Sequence, residues 1–216
     1  MQTPSLFIGN KNYSAWSLSP WLALKHAAID FNETMIPLAQ PDTERRIRSV
    51  SAAGRLPVLQ HYGETIWESL AIMEYLAEFD PDLWPKNRQA RSVARSISLE
   101  LHAGFLPLRK RMPMNCRAKK RRVFVDQTLQ SDIDRILTIW RETRSRFGEG
   151  GPWLFGSFSL ADAMYAPIAS SFKTYGITMD EPCQDYVEHW FRDPHMQAWV
   201  AAAKAECWLI EDLELG

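Results

Sequence analysis

One segment of the sequence constrains the fold more than any other feature. In it, a proline opens a short apolar run, and a second apolar run and a helical pattern follow. Pro57 precedes Val58-Leu59, and a polar turn separates this run from Ile66-Trp67. Proline has no N–H group to give to a sheet ladder, so it suits the first residue of a strand, where an X-Pro bond can be cis. Glu68 and Ser69 follow at once, ahead of apolar residues at helical spacing. The segment therefore predicts two strands in succession and then a helix.

The start of that helix has the chemistry of a ligand site. A helix N-terminus presents backbone N–H groups without partners, and Glu68 and Ser69 place a carboxylate and a hydroxyl beside them. Together these groups suit a zwitterionic ligand. The stretch resembles the glutathione-binding half of the cytosolic glutathione transferases, whose signature is a residue plus cis-proline and then Glu-Ser-x-Ala-Ile. Residues 68–72 read Glu-Ser-Leu-Ala-Ile, and the two halves of the signature stand at the expected separation.

The resemblance implies a role for each residue of the signature. Leu56, before Pro57, pairs with the cysteinyl part of glutathione through its backbone N–H and C=O groups. Glu68 and Ser69 take the γ-glutamyl ammonium and carboxylate. A cis-proline that only shapes a turn is the alternative for Leu56-Pro57. The candidates for binding the glycyl carboxylate are Arg55, Arg48 and Gln40.

The loop after the first predicted strand carries the candidate catalytic groups. In thioredoxin-like domains this loop holds the reactive group at the first position of a C-x-x-C-like element, and Ser14-Ala-Trp-Ser17 has that spacing with serine at both positions. The transferases include tyrosine, serine and cysteine subclasses at this point, so the resemblance implies a serine-type member with Ser14 as principal donor to the thiol. Ser17 and Tyr13 are the alternatives, because either hydroxyl could donate the same hydrogen bond.

One hydroxyl is sufficient for the chemistry that this loop has to perform. A thiol with a pKa near 8.5 is only about 3% ionised at neutral pH, and the thiolate is the nucleophile. Lowering that pKa by ~2 units takes about 2.7 kcal/mol. A hydrogen bond to the charged sulfur supplies about 1.5–3 kcal/mol, and a helix N-terminus adds about 0.3–1 kcal/mol. The loop therefore needs no strong base, and it contains no histidine.

The order of elements predicts two domains. Residues 1–79 mix strand and helix signals in the order βαβαββα of a thioredoxin-like domain, with Ser17 or Ser19-Pro20 as possible caps of the first helix. Two prolines mark residues 80–87 as a linker, and apolar residues at three- and four-residue spacing over 88–216 predict an all-helical bundle domain. The elements predicted ahead of the proline strand are a strand at 6–8, a helix at 21–29, a strand at 31–38 and a helix at 42–50.

The composition argues against several classes of function and location. The net charge of −1 gives no general attraction to nucleic acid or to an anionic membrane. No stretch approaches the roughly 20 apolar residues of a membrane span, and the N-terminus lacks the pattern of a signal peptide. The three widely spaced cysteines indicate reduced thiols and no metal site. We therefore expect a cytoplasmic protein.

One segment of the helical half is strongly basic. Residues 109–122 contain eight basic residues and no acidic one. The pattern favours a solvated connection between helices, and attraction of anionic glutathione or substrate is the alternative. Met112-Pro-Met inside it either lines a site for an electrophile or packs a helix end against its neighbour.

These patterns predict a serine-type glutathione transferase with glutathione as co-substrate and a small hydrophobic electrophile docked against the second domain. The resemblance also implies a homodimer. The Ser-x-x-Ser loop resembles that of the zeta-like group, which includes cis–trans isomerases of maleylacetoacetate type, although Asn12-Tyr-Ser here replaces the Ser-Ser-Cys run of that group. Such an isomerase, or a glutathione-binding protein that has kept the fold without the chemistry, is the alternative function.

Overall fold

The computed structural model describes residues 2–216 and begins with a four-stranded mixed sheet. Its strands are β1 (Ser5–Ile8), β2 (Asn32–Met35), β3 (Val58–His61) and β4 (Glu64–Trp67). They lie in the order β2-β1-β3-β4, with β1 parallel to β2 and the other pairs antiparallel. The helices of this part are α1 (Ala15–His26), α2 (Thr43–Val50) and α3 (Ser69–Phe79). The predicted βαβαββα order is confirmed.

One end of the sheet brings together the three segments that carry the predicted site residues. Val58, the first residue of β3, pairs with Phe7 near the end of β1 and with Trp67 at the end of β4. Because both pairs are antiparallel, the chain leaves β1, enters β3 and leaves β4 at the same end of the sheet. The loop after β1, the Leu56-Pro57 bond and Glu68 are therefore neighbours.

The first helix begins six residues earlier than the predicted range of 21–29. α1 has Ser14 at its N-cap, and Ser17 and Ser19-Pro20, the predicted caps, are buried within the helix. The cap prediction was wrong because the apolar side chains of α1 are buried against the sheet and the helical half of the chain. That packing outweighs the backbone hydrogen bond that proline cannot donate. Ser14 therefore stands directly at the helix N-terminus.

The C-terminal part is mostly helical, as the sequence predicts. Its helices are α4 (Arg88–Ala103), α5 (Leu106–Arg111), α6 (Gln127–Phe147), α7 (Leu160–Tyr175), α8 (Glu181–Arg192) and α9 (Pro194–Ala205). A single 3-10 turn at Pro81–Leu83 lies between α3 and α4, and the domain boundary at residues 80–87 stays a prediction. Within the described chain, no helix is long and apolar enough to cross a membrane.

The buried helix α7 is the centre of the molecule, packing against both α1 and α4. Its first turn is fixed by the carboxylate of Asp162, which accepts the backbone N–H groups of Leu154 and Ser159, both at 2.9 Å. The same carboxylate accepts the hydroxyls of Ser159 at 2.8 Å and Tyr186 at 3.2 Å. Burial raises the pKa of Asp162 to about 6 against the opposing effect of these donors. The network ties the start of α7 to α8 and to the preceding loop.

Candidate active site

A cleft of about 560 Å³ opens where this end of the sheet faces the helical part. One wall consists of the loop after β1, the first turn of α1 and the residues before Pro57. The opposite wall comes from α4, α5 and α7, together with residues 112–114 and Leu213. Most of the lining is apolar, so the cleft suits an apolar molecule beside a polar end. No group of histidine, cysteine, aspartate or glutamate side chains within residues 2–216 could hold a metal ion.

Ser14 and Ser17 form a hydrogen-bonded pair at the start of α1. Their hydroxyl oxygens are 2.7 Å apart, and Ser17 Oγ also accepts the backbone N–H of Gly9 at 3.1 Å. Ser17 is fully buried, whereas Ser14 lines the cleft. Because a hydroxyl has one proton, Ser17 can donate to Ser14 Oγ while it accepts from Gly9. The proton of Ser14 is then available to a group in the cleft.

Gly9, directly after β1, leaves the space that Ser14 occupies. A Cβ atom at this position would lie 2.9 Å from Leu38 Cδ1 and 3.0 Å from Ser14 Oγ. Both distances are shorter than ordinary carbon contacts, so any side chain at position 9 would displace Ser14 or Leu38. The end of β1 therefore positions the hydroxyl pair by steric fit as well as by the Gly9 hydrogen bond.

The hydroxyl of Tyr13 is engaged outside the cleft. It donates to Glu214 Oε1 at 2.6 Å and accepts from Arg117 Nη2 at 2.8 Å. Glu214 also accepts from Asn115 Nδ2 at 2.9 Å and forms an ion pair with Arg121. Tyr13 lines the cleft with its ring, but its proton is already held by a carboxylate. It is therefore the least suited of the three candidate donors.

Leu56 and Ser69 present a backbone segment and a hydroxyl near the same end of the sheet. The predicted cis bond of Leu56-Pro57 is confirmed, and Leu56 lines the cleft. Ser69 is the first residue of α3 and is 1% exposed. Among the residues described, nothing forms a hydrogen bond with its hydroxyl oxygen. A buried hydroxyl without a partner costs about 1–3 kcal/mol, so Ser69 gains from any ligand that supplies an acceptor.

Glu68 turns the chain from β4 into α3. Its φ of 67° lies in the left-handed region, which is uncommon for a residue other than glycine and is often found at functional sites. Its carboxylate lies 3.8 Å from Arg55 Nη1 and 3.9 Å from His102 Nε2, with 42% of the side chain exposed. These are long, solvated contacts, so the carboxylate is free to exchange them for a ligand ammonium.

The three candidates for the glycyl carboxylate differ in position. Arg55 lines the cleft and is exposed. Gln40 donates its side-chain amide to the carbonyl of Leu38 at 3.4 Å and to that of Ala39 at 3.2 Å, away from the cleft lining. Arg48 pairs with Glu44 at 2.9 Å on the surface of α2. Arg55 alone of the three is brought to the cleft.

Sequence reasoning missed most of the helical wall. Trp16, Arg109 and Leu213 line the cleft. Met112 and Met114 line it too and are also buried in the core, so both interpretations left open for this pair apply. The basic segment was the one available signal for Arg109. Leu213 is brought in by the C-terminal segment, which no local pattern predicts.

Comparisons with known proteins place the chain among its relatives. Residues 13–78 match the family model described as glutathione S-transferase, N-terminal domain. A probable maleylacetoacetate isomerase from Caenorhabditis elegans is 27% identical over 171 residues, which cover 76% of this chain and 79% of the relative. A glutathione transferase homologue from Burkholderia, solved with bound glutathione, superposes with a TM-score of 0.73 at 24% identity, covering 95% of this chain and 100% of that one. Residues 13–78 are a glutathione S-transferase N-terminal domain, and the chain as a whole has the glutathione S-transferase fold.

Further relatives and solved structures show the same agreement at lower identity. Maleylacetoacetate isomerase from Rattus norvegicus is 24% identical over 182 residues, covering 82% of this chain and 81% of the relative. A tau class glutathione S-transferase from Mangifera indica superposes with a TM-score of 0.69 at 17% identity, covering 94% of this chain and 96% of that one. Structural likeness at these identities shows the glutathione S-transferase fold, so the roles of Ser14, Leu56, Glu68 and Ser69 rest on their geometry here.

Proposed function

We propose that this protein is an enzyme of the glutathione S-transferase family that holds glutathione at the end of the sheet and presents its thiolate to a small apolar electrophile. The position of the Ser14 hydroxyl carries the proposal, since it stands at the N-terminus of α1 inside the cleft that Leu56 also lines. A helix N-terminus and a hydroxyl donor both favour an anion. A sulfur held there as thiolate faces the apolar wall of the cleft.

Four residues support this placement of glutathione. The backbone N–H and C=O of Leu56 are suited to pair with the cysteinyl residue, because Leu56 lines the cleft just before β3. Glu68 meets the γ-glutamyl ammonium, and the unpartnered hydroxyl of Ser69 donates to the γ-glutamyl carboxylate at the N-terminus of α3. Arg55 lies at the cleft for the glycyl carboxylate.

The thiol is activated by a short hydroxyl relay. Ser17 donates a hydrogen bond to Ser14 Oγ, and Ser14 donates one to the sulfur. The second bond stabilises the thiolate, and the thiol proton is lost to solvent. The charge-assisted bond supplies about 1.5–3 kcal/mol, or about 1–2 units of thiol pKa. Ser17 is a positioning residue in this scheme, because it acts on the sulfur only through Ser14.

The thiolate can then serve two reaction classes. In conjugation, sulfur forms a bond to an electrophilic carbon, and the leaving group departs with its electron pair or, in an addition, the neighbouring carbon takes a proton. In isomerisation, sulfur adds to a cis double bond, the new single bond rotates, and elimination of the thiolate restores glutathione and the trans alkene. Both classes require the same stabilised sulfur.

Isomerisation is the second candidate function, because two relatives that this chain matches over most of their length carry the name maleylacetoacetate isomerase. The replacement of the Ser-Ser-Cys run by Asn12-Tyr-Ser favours conjugation instead. Maleylacetoacetate with catalytic glutathione separates the two. Formation of the trans product without consumption of glutathione identifies the isomerase, whereas loss of free thiol with aryl halides identifies the transferase.

Calorimetry with reduced glutathione tests the binding step directly. We expect saturable binding with a Kd between micromolar and millimolar, or about −4 to −8 kcal/mol. Absence of saturation at several millimolar glutathione contradicts the proposal. Saturable binding without turnover across a panel of aryl halides, epoxides and activated alkenes assigns the protein to the non-catalytic alternative.

We also propose a homodimer. The side chains of Tyr62, Trp67 and Phe79 are 50%, 49% and 44% exposed on the β3–β4 turn, β4 and α3. The rings of Tyr62 and Phe79 stack at 6.5 Å, which supports an apolar surface suited to a second copy. Light scattering at micromolar concentration should give about twice the chain mass of 24.9 kDa. A mass equal to one chain refutes this part of the proposal.

We also propose that the protein is located in the cytoplasm. Cys116, Cys183 and Cys207 are free thiols, which fits a reducing compartment. Fractionation of cells with an antibody against the protein tests this location, and recovery with an oxidising compartment contradicts it.

A further inference from the structure

Arg109 on α5 is a cation without an acidic partner in the wall of the cleft. Its guanidinium donates from Nη1 to the carbonyl of His102 at 3.0 Å and lies 5.2 Å from the ring centre of Trp16. The residue is half-buried and lines the cleft. Burial lowers the pKa of Arg109, with Asp132 opposing the effect. The charge is thus held partly out of water without the compensation that a carboxylate would give.

The cleft has cations and no anion. Its charged lining residues are Arg55, Arg109 and Lys110, and no carboxylate lines it within residues 2–216. Asp132, the acid that opposes the lowering of the Arg109 pKa, accepts the backbone N–H of Leu108 at Oδ2, at 3.1 Å. An anion on the helical side of the cleft therefore meets Arg109 and Lys110 with no carboxylate in the lining beside them.

Neighbouring arginines of the basic segment show what a purely structural role looks like. Arg111 pairs with Asp126 at 2.8 Å, and Arg121 pairs with Glu214. The first pair joins the end of α5 to the N-cap of α6, and the second joins the loop before α6 to the C-terminal segment. In the part of the chain that the structure covers, Arg109 has no salt bridge, and it lines the cleft from α5. Arg109 thus differs from Arg111 and Arg121 in two ways: it has no acidic partner among the described residues, and it lies in the cleft wall.

The wall that carries Arg109 lies apart from the residues proposed for glutathione. The residues proposed for glutathione lie between positions 13 and 69, on the sheet side of the cleft. α5 instead contributes Leu106 and Leu108 to the apolar side, next to Met112 and Met114. A cation set among these residues fits a molecule with an apolar body and one anionic group.

We propose that Arg109 binds a carboxylate of the second substrate, so that the preferred electrophiles are apolar molecules carrying a carboxylate. The inference rests on the proposed function and deepens it, because it assigns a substrate class to the same cleft. The planar guanidinium suits a carboxylate through two parallel hydrogen bonds, and the Trp16 ring holds it in place from one side. Arg109 is a specificity-determining residue: it selects the substrate and leaves the attack of sulfur to Ser14.

A matched pair of substrates tests the assignment. 4-Chloro-3,5-dinitrobenzoate and its methyl ester react alike with glutathione: sulfur bonds to the ring carbon that bears chlorine, and chloride leaves with the bonding pair. Ring nitro groups stabilise the intermediate in both, so the pair differs chiefly in the carboxylate charge. The readout is kcat/KM for acid and ester at saturating glutathione, with the Arg109→Gln, Arg109→Lys and Lys119→Gln variants. Lys119 is an exposed cation of the same segment outside the cleft lining and controls for net charge.

We expect Arg109→Gln to lower kcat/KM for the acid by about ten- to a hundredfold and to change the ester by less than about threefold. Arg109→Lys should recover part of the loss, and Lys119→Gln should leave the acid-to-ester ratio unchanged. An equal loss for acid and ester overturns the proposal in favour of a structural role. A rise in the Kd for glutathione with no change in the ratio overturns it as well, since Arg109 would then belong to the glutathione site.

A binding measurement separates this inference from the proposed function. If the native protein turns over neither compound, conjugation of this substrate pair is refuted, and quenching of tryptophan fluorescence by 3,5-dinitrobenzoate and its methyl ester still reports on the subsite. Native protein should bind the acid about tenfold or more tightly than the ester, and Arg109→Gln should abolish the preference. Equal affinities for acid and ester in the native protein refute the anion subsite.

Discussion

Replacing Asp162 with alanine tests how far the helical half depends on one buried carboxylate. The change removes the acceptor of four hydrogen bonds from Leu154, Ser159 and Tyr186. Each buried donor left unpaired costs about 1–3 kcal/mol, and the fixed backbone of the α7 start limits relaxation. Water entering the space left by the side chain recovers part of this sum. We expect a loss of about 3–5 kcal/mol, a large fraction of the stability of an ordinary protein.

Urea unfolding followed by tryptophan fluorescence at neutral pH measures this loss. Tyr186→Phe is the control, because it removes one donor and leaves the carboxylate with its other partners; we expect about 0.5–1.5 kcal/mol. Asp162 lies outside the cleft lining, so glutathione affinity of the folded variant should be unchanged. A loss below about 1 kcal/mol for Asp162→Ala, at an unchanged denaturant slope, would refute the account of this network.

The same residue gives stability a pH dependence of defined sign. Burial raises the pKa of Asp162 from an ordinary 3.8 to about 6, so the folded state holds this proton more tightly than the unfolded state. Its contribution is therefore full below about pH 4 and is lost as the pH rises through about 6, by up to about 3 kcal/mol. Asp162→Asn cannot titrate, so the stability of native protein minus that of Asp162→Asn should fall between pH 4 and pH 7. A constant or rising difference contradicts the buried, elevated pKa.

Two further predictions concern the edges of the cleft. Ser69→Ala should weaken glutathione binding about tenfold or more, as measured by calorimetry. The free energy of unfolding should stay the same or rise, because the buried hydroxyl lacks a partner in residues 2–216. Unchanged glutathione affinity would count against this placement of the glutamyl carboxylate. Glu214→Gln should loosen the C-terminal segment, which forms a hydrogen bond with Tyr13 and places Leu213 at the cleft. We expect the KM for an electrophile to rise several-fold, by roughly 1 kcal/mol, with no change in glutathione affinity. An unaltered electrophile KM would show that this segment is not part of the substrate site.

The sheet end of the site was predictable because its signals are local. A proline that cannot extend a ladder, followed by a strand and a Glu-Ser helix start, fixes Leu56-Pro57 and Glu68-Ser69 within one short stretch of chain. Antiparallel pairing then brings them together without any distant contact. The helical spacing of apolar residues in the second half predicted its helices in the same local way.

The start of α1 was not predictable from its own sequence. Ser19-Pro20 has the local pattern of a helix cap, and burial of the surrounding side chains overrides it. The use of the Tyr13 hydroxyl also depends on a distant residue, Glu214, which the fold brings into contact. Arg109 was visible as one charge in a basic run, and only the packing of α5 over Trp16 shows that it faces the cleft.

Titration of the bound glutathione thiol by its thiolate absorbance, in native protein and in Ser14→Ala, tests directly whether Ser14 stabilises the thiolate. We expect Ser14→Ala to raise the apparent thiol pKa by ~1–2 units, because one charge-assisted hydrogen bond is lost, with little change in glutathione affinity. Ser17→Ala should produce a smaller rise, since it acts through Ser14, and Tyr13→Phe should produce none, since its hydroxyl is bonded to Glu214. A titration that Ser14→Ala leaves in place while Ser17→Ala or Tyr13→Phe moves it would contradict the assignment and give the role to that residue.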